Sequence, residues 1–174
     1  ITGYVFEITR FGNELLVSGN FRIKGTPIRN LARLNNGQWS EFSSDTTMLP
    51  GVITEYKGVL YSYVRFVDKK NYVTLSRWAG NSWVPIFKTL YPAYTDYRIP
   101  IQGITATNDY LYVIGSIDSV ELSSGKMIKG GSLLRFDGKS WMTMIDSNFS
   151  NGVNEIAVEG NDIYVAGEFS SIQG

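Results

Sequence analysis

Side chains able to do chemistry gather in two stretches, "KTLYPAYTDYRIP" at 88–100 and "DSVELSSGKMIKGG" at 118–131. The first sets Tyr91, Tyr94 and Tyr97 beside Asp96 and Arg98. Tyrosine brings large contact area at low entropic cost, so this stretch reads as a surface for binding a protein; the structural alternative is packing onto neighbouring strands. The second mixes Asp118, Glu121, Lys126 and Lys129 with Met127 and Ile128. Carboxylates such as Asp68, Asp96, Asp118 and Glu121 are what a glycosidase pairs across its scissile bond, but no spacing here singles out a pair. "DSVELSSG" and "DSNFSNG" are rich in oxygen ligands, yet neither follows the alternating pattern ending in Glu that an EF-hand needs. No glycine-rich phosphate loop follows a strand and opens a helix. The expectation is a chain without cofactor, metal or catalytic constellation.

Composition narrows the chemistry further. The 174 residues hold neither His nor Cys, which removes imidazole triads, His-ligated metals, disulfides and zinc–thiolate sites. The 16 basic residues balance the 16 acidic ones and form no basic patch, so a nucleic-acid or anionic-lipid partner is disfavoured. No apolar run approaches the roughly 18–20 residues of a membrane-spanning helix, and membrane insertion is not expected. Charged residues at 18%, aromatics at 14% and 18 glycines fit an all-β chain with many turns. The chain starts at Ile1 rather than Met and reads as a processed or excised piece, so the lack of a leader does not argue against secretion.

The elements that must position these stretches are written as a repeat. "NLARLNNGQW" at 30–39, "TLSRWAGNSW" at 74–83 and "SLLRFDGKSW" at 132–141 share one pattern, with Arg33, Arg77 and Arg135 each followed six residues on by Trp39, Trp83 and Trp141. Asn36-Gly37, Gly80-Asn81 and Asp137-Gly138 between them are tight-hairpin signals. Upstream stand "NELLVSG" at 13–19, "GVLYSYV" at 58–64, "DYLYVIG" at 109–115 and "NDIYVAG" at 161–167, each preceded by a turn and a short apolar strand. Every unit is therefore four short strands, A to D, and units begin near 1, 50, 101 and 152. A period near 50 with four strands per unit is the pattern of a β-propeller blade; a β-sandwich, the alternative, does not demand Arg-turn-Trp at fixed spacing.

Gly19-Asn20-Phe21, Gly167-Glu168-Phe169, Ala32-Arg33-Leu34, Arg135-Phe136-Asp137-Gly138 and Ser140-Trp141 resemble a repeat of secreted and cell-surface β-propeller proteins, within the broader kelch or galactose-oxidase-like group. The resemblance covers nearly the whole chain. It implies an all-β propeller segment of about three and a half four-stranded blades, assigned as 1–50, 51–100, 101–151 and the first two strands of a fourth at 152–174. It implies an extracellular or cell-envelope setting and is nearly silent about activity; copper chemistry of the galactose-oxidase kind needs histidines that are missing. The open fourth unit leads to the expectation of a larger ring or a partner covering the raw edge.

The repeated Trp, Arg and Gly-Asn-Phe residues read as framework: one Trp per unit packed on its neighbour, Arg stacked on an aromatic or paired to a carboxylate, and a corner with an aromatic plug. In "DYLYVIG", Leu111, Val113 and Gly115 should share one blade face and Tyr112 and Ile114 the other. Four antiparallel strands put A–B and C–D turns on one side of the scaffold and B–C and D–A connections on the other. The first set is short throughout. The second, at about 20–29, 65–72, 116–131, 43–51, 88–101 and 146–152, holds every long segment, including both stretches above. Binding usually lives on variable loops of a rigid scaffold, so this face, with Tyr91, Tyr94, Asp96, Tyr97, Arg98, Asp118, Glu121, Lys126 and Met127, is the candidate surface. The expected function is a non-catalytic binding or structural module engaging a protein partner or the remainder of a larger assembly. A carbohydrate-binding or carbohydrate-processing propeller stays open, with a glycan as its ligand.

Overall fold

The computed structural model describes residues 1–43, 48–66, 72–90, 100–145, 153–160 and 162–169. Among them every regular element is a strand: β1 (Thr2–Phe11), β2 (Glu14–Arg22), β3 (Arg29–Asn35), β4 (Gln38–Glu41), β5 (Met48–Tyr56), β6 (Val59–Phe66), β7 (Tyr72–Trp78), β8 (Trp83–Leu90), β9 (Ile101–Ala106), β10 (Leu111–Leu122), β11 (Met127–Phe136), β12 (Trp141–Ile145), β13 (Val153–Glu159) and β14 (Asp162–Gly167). Strands β1 to β4 form a four-stranded antiparallel meander. β5 to β8 form a second, β9 to β12 a third, and β13 and β14 pair as a hairpin. Strand A of each unit lies beside strand A of the next: β1 beside β5, β5 beside β9, β9 beside β13. The fold is all-β and propeller-like.

Turn chemistry explains the meanders. Asn36 and Gly37 both take positive φ, at 48° and 76°, as do Lys57 and Gly58 at 51° and 76°. These are the conformations a two-residue primed turn requires, and they match the right-handed twist of the flanking strands. The β11–β12 turn uses Asp137 instead: its carboxylate accepts the Lys139 and Ser140 backbone N–H groups, both at 2.7 Å. Those two bonds hold the Asp137 carboxyl below its ordinary value of 3.8.

Core residues sit between units as well as within them. Leu16 and Leu31 of the first unit pack with Ile53, Leu60 and Trp83 of the second. Tyr56, Tyr61, Leu75 and Phe87 of the second pack with Ile101, Leu111, Val113 and Leu134 of the third, where Trp141 joins them. Tyr112, Ile114 and Leu133 of the third pack with Ile156, and with half-buried Ile163 and Val165, of the hairpin β13–β14. Leu111 and Val113 thus face one neighbour and Tyr112 and Ile114 the other, as alternation along a strand requires. The tryptophans pack toward the preceding unit. Trp141 lies edge-on to Phe87 at 4.9 Å, and Trp83 sits against Leu16 and Leu31.

Two expectations change. Gly19-Asn20-Phe21 is no corner: it lies inside β2, and the chain turns later, where Ile23 N–H donates to the Ile28 carbonyl at 3.0 Å. Phe21 is nonetheless buried as a plug. Gly19 is needed because a Cβ there would strike the Tyr4 carbonyl and the Val5 backbone. The second change concerns residues 116–131, expected as a loop. They are strand on both sides of a short turn, for reasons given below.

Candidate functional site

The side carrying the A–B and C–D turns is short and tied together. Tyr56 Oη donates to the Asp109 carbonyl at 2.6 Å, and Lys57 Nζ donates to the Asp137 carbonyl at 3.2 Å. The Arg135 guanidinium lies 4.2 Å from the Tyr110 ring centroid. Arg33 donates Nε–H to the Glu41 carbonyl at 3.2 Å and pairs with Glu14 at 3.6 Å. Both arginines thus serve the framework, as their repetition suggested.

Among the described residues, the opposite side is dominated by an extension of β10 and β11. These strands stay paired from Leu111↔Phe136 out to Glu121↔Met127, with a register shift between Ile114 and Ile117. Gly130 is required at that irregularity, because a Cβ would collide with the Ile117 carbonyl. Residues 123–126 close the hairpin: Leu122 N–H donates to the Lys126 carbonyl at 2.9 Å, Gly125 N–H donates to the Leu122 carbonyl at 2.8 Å, and Gly125 takes φ 80°. Burial sorts the side chains of this arm. Ile117 and Val120 are fully buried, and Leu122 and Ile128 pack half-buried on the same core.

The hairpin leans on the second unit. Glu121 and Leu122 pair with Lys88 and Phe87 of β8, and Ser123 N–H donates to the Ile86 carbonyl at 3.1 Å. Lys88 Nζ meets the Glu121 carboxylate at 2.9 Å. This contact joins the second and third meanders into one sheet and covers part of an edge strand that would otherwise offer unpaired backbone groups. A cleft of about 220 Å³ opens beside it, between Tyr72 and Thr74 of β7, Ile86 and Lys88 of β8, and Glu121 and Ser123 of the hairpin.

Of the candidate binding residues, Tyr91, Tyr94, Asp96, Tyr97 and Arg98 lie outside the described residues. Asp118, Lys126 and Met127 are exposed on the hairpin, Met127 at 57%. Glu121 is half-buried and paired with Lys88. Sequence reading missed the cleft and the strand character of this arm. The signal was present: Val120 and Leu122 alternate with polar residues, and Ser-Ser-Gly-Lys closes the turn. Among the described residues, no group of three or more His, Cys, Asp or Glu side chains is placed to hold a metal ion.

The described strands and their open loop side define a β-propeller-like all-β fold. No family model and no curated protein matches the chain.

Proposed function

We propose that the chain is a non-catalytic binding or structural module of an extracellular or cell-envelope protein, and that it engages a protein partner through the side bearing the β10–β11 arm. The observation carrying this reading is the arm itself. Two buried side chains, Ile117 and Val120, and the pairing with β8 seat it firmly, while its tip holds out Met127 between Lys126 and Ile128. A rigid scaffold presenting an exposed, adaptable methionine beside charges is suited to protein contact, because little entropy is lost on ordering the tip. The extracellular setting is supported by the likeness of the repeat to secreted and surface propellers.

The reading is tested by photo-crosslinking. A benzophenone side chain replaces Met127, and the chain is presented to an extract and to the surface of its source cells. A discrete protein adduct that disappears with K126E supports it; adducts no different from those of a benzophenone placed at Lys139, on the short-turn side, count against it. The second reading, a carbohydrate-binding propeller, is favoured by the cleft of about 220 Å³ beside Tyr72 and Lys88. A reproducible hit on a glycan array would move the assignment there.

A further inference from the structure

The repeat breaks at one chemically reactive position, and that position faces a cation. Strand C of each complete unit sets its arginine across from one residue of strand D: Arg33↔Ser40, Arg77↔Val84 and Arg135↔Met142. In the third unit that residue is a thioether. Met142 is 53% exposed, so its sulfur side chain is open to small solutes. Arg135 donates an Nη2–H to the Met142 sulfur at 3.5 Å, and its guanidinium also lies over the Tyr110 ring.

The first unit shows what an arginine at this position takes as a partner. Arg33 meets two oxygens, the Glu14 carboxylate at 3.6 Å and the Glu41 carbonyl at 3.2 Å. Glu14 and Tyr110 occupy one position of strand B, each just before the leucine that pairs with strand C, Leu15↔Leu34 and Leu111↔Phe136. Arg135 therefore meets a ring and a sulfur where Arg33 meets oxygens. A thioether sulfur is a weak acceptor, whereas a polarised oxygen facing a guanidinium makes a short, charge-assisted bond. One oxygen atom added to the Met142 sulfur supplies that acceptor.

We infer that Met142 is a modification site for peroxide, and that its sulfoxide is held by Arg135 and fastens β12 to β11. The sulfur lone pair attacks one oxygen of hydrogen peroxide, and the O–O bond breaks as the S–O bond forms. The proton on the transferred oxygen passes to the departing hydroxide, and water leaves. Sulfur is oxidised by two electrons and the peroxide is reduced by two. The new oxygen projects from the atom that Arg135 already addresses, so the guanidinium exchanges a weak acceptor for a strong one with little movement. β12 is the strand that gains. It is five residues long and stands at the end of its sheet, paired with β11. The Arg135–Met142 pair crosses that seam.

The test uses hydrogen peroxide on the whole chain, with peptide mass spectrometry reading each methionine. Met142 should oxidise at a rate within about threefold of that at Met127, which is 57% exposed, because susceptibility follows exposure. The sequence has four methionines, Met48, Met127, Met142 and Met144, so M48L, M127L and M144L together leave Met142 as the sole thioether. In that variant, oxidation should slow amide hydrogen exchange across 141–145 roughly threefold, the effect of one added hydrogen bond. Adding R135L should abolish the slowing while the mass gain persists. Adding M142L instead should abolish both. Should R135L lose the sheet signal in circular dichroism, R135Q, neutral at the same position, is read in its place. Three results would each overturn the inference: a Met142 that stays reduced while Met127 oxidises, exchange that is unchanged or faster after oxidation, or a slowing that survives loss of the Arg135 charge.

Discussion

Glu7 shows how one side chain reports on its surroundings. It lies on β1, partly buried, and burial pushes its carboxyl above the ordinary value of 4.5; the Glu155 charge adds to this, and the Ile8 N–H donated to its Oε1 at 3.1 Å opposes it. The folded chain therefore holds this proton more tightly than the unfolded chain does. Stability carried by the protonated form is full below the unfolded value and is lost as pH rises through the raised folded one. Glu7→Gln should accordingly stabilise the protein at pH 7, with the gain vanishing as pH falls into the ordinary carboxylate range; urea unfolding at a series of pH values reads it. Asp137 runs the other way. Its lowered carboxyl contributes to stability at neutral pH and ceases to as pH falls through the folded value. Asp137→Ala should lower the urea midpoint at pH 7 and leave it unchanged in strong acid.

At the scale of the element, the β10–β11 arm is held by apolar seating more than by its ion pair. Ile117 is buried among Val120, Leu111 and Val113, while the Lys88–Glu121 pair is open to solvent at both ends. Exposed pairs contribute little because water and salt screen them. Ile117→Ala should cost about 2–4 kcal/mol in denaturant unfolding, and Glu121→Gln less than about 1 kcal/mol. Equal costs would show that the charge, not the core, anchors the arm. Sequence reading took 116–131 for a loop because it lies between the strand-B and strand-C motifs of the repeat, where the other units carry a connection. What it did not show was that strands B and C here stay paired beyond the motifs and rest on β8, a strand from another unit.

Across the whole molecule, the tryptophans measure the junctions between units. Trp83 is buried between the first and second units, Trp141 is stacked on Phe136 and edge-on to Phe87, and Trp39 packs on the Val17, Ile28 and Ala32 cluster of its own unit. Trp83→Ala should cost about 3–5 kcal/mol. Trp141→Ala should cost less, since Trp141 is only half-buried, and Trp39→Ala least of the three. Thermal unfolding of the three variants gives the ranking. A Trp39→Ala loss equal to that of Trp83→Ala would mean that the units do not draw their stability from the neighbours they precede and follow.

Local chemistry is enough to write the strands and turns of this chain. The Asn-Gly, Lys-Gly and Asp-Gly pairs, the period-2 alternation of "DYLYVIG" and the spacing of Arg33, Arg77 and Arg135 from their tryptophans mark the meanders, because a tight turn and a half-buried strand each need particular residues at particular steps. That both faces of each unit are apolar was also legible, since a sheet placed between two others must be so. Which neighbour each face meets was not. The direction of the tryptophan packing and the arm of β10 and β11 laid along β8 follow from contacts between residues far apart in the chain. Burial of a side chain depends on what stands opposite it in space, and no spacing within one unit contains that.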